Sequence, residues 1–263
     1  MNWIEAFILG IVQGLTEFLP VSSSGHLLLS KEILGIENAG NATFEVLVHA
    51  ATVMSTLTVF RNDILKLFAG LFKFKYNQET EYVFKIVVSM IPVMIVGLLF
   101  KEQVESLFGE GPAFVGSMLL LTAVLLLLTH FLKKEGKPIS YGNAFIIGLA
   151  QACAVLPGLS RSGATISTGL LLGNDRNEIA RFSFLMVLVP ILGEALLDLT
   201  GGDFSPSKSG IAIIPLIVGF AGAYLSGLVA CKLMIKLVSQ VKLYWFSVYC
   251  AIVGIIAIVY TFI

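Results

Sequence analysis

Glu17, Ser23, His26 and Arg161 are reactive or ionisable side chains set inside otherwise apolar runs. Arg161 lies in Leu156-Pro157-Gly158-Leu159-Ser160-Arg161-Ser162-Gly163. A charge in such surroundings costs on the order of several kcal/mol and usually marks function. Its planar donor fork suits a phosphate, and the Ser160 and Ser162 hydroxyls and nearby backbone N–H groups would extend the cradle. Ser162 to Thr165 would open a half-helix whose N-terminal dipole also favours an anion. A structural ion pair between Arg161 and Glu17 is the competing role. Gln13 and Glu17 are four apart and project from one helix face. A carboxylate beside a bound phosphate group must hold a cation, carry a proton, or orient a water or hydroxyl, so Gln13 and Glu17 are candidate metal ligands. Ser23 and His26 share a face if a helix starts near Ser22, and an imidazole beside a hydroxyl offers nucleophilic or acid–base chemistry. Ser22 and Ser24 would either bind the ligand or cap a broken helix. Glu45 and His49, also four apart, read equally as support for the site or as a local helical pair. Glu194 and Asp198 read as water-facing structure, and His130 as interfacial.

The elements that must position these groups are set by composition. Of 263 residues, 57% are apolar and 13% charged, and mean hydropathy is +0.91. A soluble domain carries roughly a quarter charged residues, so the solvent around most of this chain is lipid. Net charge is zero, which favours no nucleic-acid partner. Cys153, Cys231 and Cys250 lack metal-ligand spacing and read as small packing residues. The first twenty residues hold no Lys or Arg and no small-residue cleavage site, so they read as part of the fold rather than a signal peptide.

Six stretches, 42–60, 82–100, 112–132, 180–199, 211–231 and 243–263, are long enough to span a bilayer. Two more, 4–35 and 141–172, are interrupted by Pro, Gly and serine clusters and predict re-entrant helix hairpins. Irregular backbone at membrane depth is tolerated only inside protein or along a wet cavity. With the 61–81 loop taken as inside, 13 Lys and Arg residues fall inside and 3 outside, leaving Arg161 in the second hairpin. Both termini then face outward. Trp3 and Trp245 read as interfacial anchors.

A shift of 138 positions matches the chain to itself, with ten identities in 37 aligned positions, including Gln13 with Gln151, Ser22 with Ser160 and Gly25 with Gly163. Each half, 1–138 and 139–263, holds one hairpin and three spans, so the second must lie inverted relative to the first within one compact membrane domain. The expected fold is therefore an all-α integral membrane protein built as an inverted repeat. Glu17, Ser23 and His26 have no counterparts: they align with Val155, Arg161 and Ala164. The scaffold is duplicated but its ionisable groups are not.

Gln13-Gly14-Leu15-Thr16-Glu17 matches a Glu/Gln-x-x-x-Glu motif, and Pro157-Gly158-Leu159-Ser160-Arg161-Ser162-Gly163-Ala164-Thr165 matches Pro-Gly-x-Ser-Arg-Ser-x-x-Thr. By these motifs, its length and its spans, the whole chain resembles the undecaprenyl-diphosphate phosphatase, or bacitracin-resistance, family. The resemblance implies hydrolysis of undecaprenyl diphosphate to undecaprenyl phosphate and inorganic phosphate in the bacterial plasma (inner) membrane. It also implies catalytic roles for Glu17, Ser23, His26 and Arg161, dependence on a divalent cation (Mg²⁺ or Ca²⁺), and a site open to the outer, periplasmic or extracellular, face. Gln13, Ser22, Ser24, Ser160, Ser162 and Thr165 would bind substrate. Many members have Glu at the Gln13 position, and one carboxylate fewer should attract a cation less strongly. The sequence leaves open a phosphoserine, a phosphohistidine or direct attack by water, and does not decide whether the chain forms a homodimer. A polyprenyl-phosphate transporter is the alternative from the same architecture. A serine intramembrane protease would need a nucleophile motif that the chain lacks.

Overall fold

Asn2 and Ser140, 138 positions apart, each cap a helix that runs to a break. Asn2 closes a capping box with Glu5 at the head of α1 (Trp3–Phe18), and the Ser140 hydroxyl accepts from the Asn143 amide at the head of the helix Tyr141–Cys153. A computed structural model of the chain describes residues 1–36, 41–107, 109–131, 136–193, 211–240 and 243–262. The backbone breaks after α1 and resumes as α2 (Ser23–Leu34). Then follow α3 (Asn41–Val59), α4 (Arg61–Leu71), α5 (Gln78–Leu99), α6 (Lys101–Leu107) and α7 (Gly111–Leu128). The second half begins with α8 (Tyr141–Cys153), breaks, and resumes as α9 (Arg161–Leu171), α10 (Arg176–Met186), α11 (Ile213–Gln240) and α12 (Tyr244–Tyr260). Among the described residues the fold is all-helical, apart from an isolated bridge between Lys137 and Asn174.

Three of these helices, α5, α7 and α11, are long and apolar enough to cross a membrane, or four spans if α3 and α4, bent by 72°, count as one. The chain is thus a multi-pass helical membrane protein. Several expected boundaries move: α5 begins at Gln78 rather than residue 82, and α11 continues to Gln240 rather than 231. The amphipathic α4 and the short α6 lie in stretches expected to be connections. In the stretch expected to span 180–199, a turn at Val187 interrupts the helix, which resumes over 188–193. Residues 194–199, with Glu194 and Asp198, lie outside the described residues. Cys231 and Cys250 are buried as expected, whereas Cys153 is exposed.

Close helix crossings set the frame. A Cβ on Gly10 would overlap the Gly219 carbonyl oxygen, where α1 crosses α11, and one on Gly148 would overlap that of Ser89, where α8 crosses α5. A Cβ on Gly116 would lie 2.6 Å from the Gly254 carbonyl oxygen, and one on Gly254 2.7 Å from that of Gly116. The α7–α12 crossing is therefore reciprocal between residues 138 positions apart. Phe44 and Phe182, another such pair, are both fully buried. Gly35 and Gly173, also 138 apart, both have positive φ, 63° and 81°, just past α2 and α9. The outer surface carries exposed Leu98, Ile217, Val229 and Ile256, as lipid contact requires.

Candidate active site

The two breaks meet. The Gly158 amide points at the Ser24 hydroxyl (3.4 Å), and the Ser162 hydroxyl donates to the Leu19 carbonyl (3.2 Å). Gly158 has φ +94° and packs against Val115, so a side chain there would be both strained and obstructed. Ser22 caps α2 by accepting from the Gly25 amide, and Ser160 caps α9 by accepting from the Gly163 amide. Ser160 does so with ordinary φ of −71°, whereas Ser22 holds φ of 70°. A non-glycine residue at such a φ carries strain of about 1–3 kcal/mol, and such strain concentrates at functional sites.

Glu17, at the end of α1, is the centre of the cluster. Its Oε2 accepts from Gln13 Nε2 (2.9 Å) and from the Ser23 hydroxyl (2.6 Å). Its Oε1 is paired with the Arg161 guanidinium from the head of α9. The Glu17 side chain is 6% exposed and that of Arg161 26%. The carboxylate is thus buried with its compensating charge, while the cation keeps access to the space beside it. Gln13 Oε1 is buried without a hydrogen-bond partner. A narrow pocket adjoins the pair, lined on its polar side by Glu17, Arg161, Thr52, Thr56, Ser162 and Ser183. Phe184, Val187, Leu188 and Ile191 form an apolar wall.

Glu17, Ser23, Arg161 and Gln13 come together as expected, but His26 faces elsewhere. Its Nδ1 lies 2.8 Å from the Ser22 carbonyl oxygen and its Nε2 2.8 Å from the Tyr249 phenol of α12. Ser22 and Ser24 are paired at 3.3 Å, and Ser160 and Ser162 at 3.4 Å. Thr165 is turned inward, donating to the Arg161 carbonyl and pairing with the Ser183 hydroxyl at 2.6 Å. Glu45 and His49 do not pair through their side chains. Glu45 binds the buried Lys31, while His49 Nε2 lies 3.8 Å from Glu17 Oε2. His130 packs against Phe131 and Tyr244. The sequence reading did not single out Tyr249, Thr52, Thr56 or Ser183. A tyrosine set inside the apolar run of α12 was the available signal for the first.

Among the described residues, no group of three or more His, Cys, Asp or Glu side chains could hold a metal ion alone. One carboxylate and a free amide oxygen do suit a hard cation that arrives with phosphate oxygens completing its shell.

Residues 6–256 match the family described as bacitracin resistance protein BacA. The chain is 56% identical to the undecaprenyl-diphosphatase of Parabacteroides distasonis, over 99% of both chains. It is 41% identical to that of Salinibacter ruber, over 97% of both. Identity to that of Oceanobacillus iheyensis is 37%, over 98% of this chain and 96% of the relative. On a match that runs nearly end to end, the chain belongs to the BacA family.

Proposed function

We propose that this chain hydrolyses undecaprenyl diphosphate to undecaprenyl phosphate and inorganic phosphate, recycling the carrier lipid of peptidoglycan synthesis and so conferring bacitracin resistance. The observation that carries the reading is the convergence on Glu17 of the Ser23 hydroxyl from one break and the Arg161 guanidinium from the other. Its relatives, named undecaprenyl-diphosphatase, supply the substrate.

The diphosphate enters the cavity with its polyprenyl tail beside Phe184, Val187, Leu188 and Ile191. Arg161 exchanges Glu17 for the terminal phosphoryl group, which binds the anion and frees the carboxylate together. Ser23 Oγ attacks the phosphorus and its proton passes to Glu17 Oε2, 2.6 Å away. The P–O bond to undecaprenyl phosphate breaks. Water then attacks the phosphoserine phosphorus, the bond to Ser23 Oγ breaks as Glu17 returns its proton to that oxygen, and inorganic phosphate leaves. His26, bound at Nδ1 to the Ser22 carbonyl, keeps a lone pair at Nε2 that can take the water's proton. Arg161, Ser22, Ser24, Ser160 and Ser162 offset charge on the transferred group, and Thr165 braces the head of α9. A divalent cation, Mg²⁺ or Ca²⁺, would be held by Glu17 and Gln13 Oε1 and would neutralise diphosphate charge.

We read the architecture as six spans and two re-entrant hairpins, α1–α2 and α8–α9, in an inverted repeat divided near residue 138. Exchanging the halves maps the α1–α11 crossing onto α8–α5 and the α7–α12 crossing onto itself, which supports the repeat. The Lys and Arg distribution supports termini and site opening on the outer face of the plasma membrane.

Phosphate release from undecaprenyl or farnesyl diphosphate by the purified protein in detergent tests the reading, with Mg²⁺, with Ca²⁺ and with chelator. Release that requires cation and disappears in Arg161→Ala is the expected result. Leaflet exchange of polyprenyl phosphate without turnover would move the assignment to a transporter.

A further inference from the structure

Tyr249 and His26 are 223 positions apart, and the fold brings the phenol oxygen 2.8 Å from His26 Nε2. The other ring nitrogen lies 2.8 Å from the Ser22 carbonyl oxygen. A carbonyl oxygen only accepts, so Nδ1 carries the hydrogen. In the neutral ring Nε2 is then the lone pair, and the phenol donates to it. The rings also overlap, with centroids 5.6 Å apart and planes 11° from parallel, so the imidazole has little freedom to turn over. The nearest histidine partner of Glu17 is His49, at 3.8 Å, which leaves Tyr249 as the side-chain partner of the His26 ring.

We infer that Tyr249 is a positioning residue for the hydrolase reaction, its O–H holding at Nε2 the His26 ring whose Nδ1–H tautomer the Ser22 carbonyl sets. This rests on the phosphatase reading given above. The phenol holds Nε2 unprotonated in the resting site, and the hydrolytic water takes the phenol's place there to give up its proton. Ser23, whose hydroxyl contacts Glu17, is the nucleophile of that reading.

The chain has only three histidines, His26, His49 and His130, so ring-¹⁵N histidine labelling gives a readable spectrum. The His26 signals are identified by their loss in His26→Gln. In the wild-type protein in detergent they should show one protonated nitrogen, Nδ1, and one unprotonated, Nε2. In Tyr249→Phe, which keeps the stacked ring, the Nε2 signal should move toward that of an unbonded ring nitrogen while Nδ1 stays protonated. The same variant should lose about three- to tenfold in kcat, the worth of one hydrogen bond, with KM within about twofold of wild type. A wild-type ring that is averaged or doubly protonated at pH 8 overturns the inference. So does a Tyr249→Phe variant with unchanged spectrum and kcat, including the case where Tyr249→Leu is impaired and stacking alone matters. Wild-type protein that shows the fixed ring but releases no phosphate overturns the hydrolase reading and the role given to Tyr249, and leaves the tautomer assignment standing.

Discussion

Removing the Arg161 guanidinium separates an anion clamp from a structural ion pair. In Arg161→Ala the Glu17 carboxylate, 6% exposed, keeps the Gln13 amide and the Ser23 hydroxyl as donors but loses its balancing charge. Breaking a buried pair costs about 3–5 kcal/mol. Arg161 is 26% exposed and two neutral donors remain, which places this pair below that range, at about 2–3 kcal/mol. For a chain of this size that lowers the unfolding midpoint by about 5–10 °C. Losing a guanidinium that meets developing charge should cost about 10³-fold or more in kcat/KM. The double variant Arg161→Ala/Glu17→Gln removes both charges, so the buried anion is gone. Its midpoint should return to within about 3 °C of wild type, about 1 kcal/mol, while phosphate release stays as low as in Arg161→Ala. The assays are thermal unfolding in detergent and phosphate release from a polyprenyl diphosphate, on wild type, both single variants and the double. Phosphate release within tenfold of wild type in the double variant would refute the clamp, because restoring charge balance alone would then restore the enzyme.

Three further outcomes follow from the same geometry. Ser23→Ala should lower kcat by about 10²–10⁴-fold with KM little changed, because the hydroxyl acts only once the substrate is bound; steady-state kinetics check it, and a nearly unchanged kcat would exclude the phosphoserine route. Gln13→Glu adds a second carboxylate where a free amide oxygen lies buried, and should lower the cation concentration giving half-maximal activity; a cation titration with an unchanged midpoint would count against Gln13 as a ligand. Gly116→Val should destabilise by about 1–3 kcal/mol, because even its Cβ would sit 2.6 Å from the Gly254 carbonyl oxygen, whereas Gly97→Ala, with open space around it, should not; unfolding midpoints compare the two.

The parts of this fold that were legible in the sequence are those written in local chemistry. Pro, Gly and Ser clusters mark the breaks at 19–22 and 154–160, and apolar length marks α5, α7 and α11. The pairing of Glu17 with Arg161 was one of two readings offered because an isolated buried charge needs a partner. What could not be read were contacts made by packing across the chain. His49 lies four positions from Glu45, yet its Nε2 lies beside Glu17 while Glu45 binds Lys31. Tyr249 sits in a run of apolar residues with no local sign that α12 passes beside the head of α2. The helix α4 escaped notice because α3 bends by 72° at Phe60, where a connection was expected.

On the proposed inverted repeat, the two halves differ in the chemistry that a shared frame carries. Ser22 and Ser160 do the same capping work, and their φ angles of 70° and −71° show that capping does not need the strained conformation. The strain must therefore serve something present in the first half only. Two things are: the Ser22 carbonyl, which receives His26 Nδ1, and the placement of Ser23 against Glu17. A relaxed Ser22 would turn its carbonyl and the following residue together, so one backbone torsion sets both the proposed nucleophile and the proposed base. In the second half Ser160 caps with ordinary φ and Arg161 stands where the first has Ser23, which gives the site a fixed cation. On this reading the asymmetry of the site arises from a few torsions and three side-chain replacements within a frame whose helix crossings remain paired.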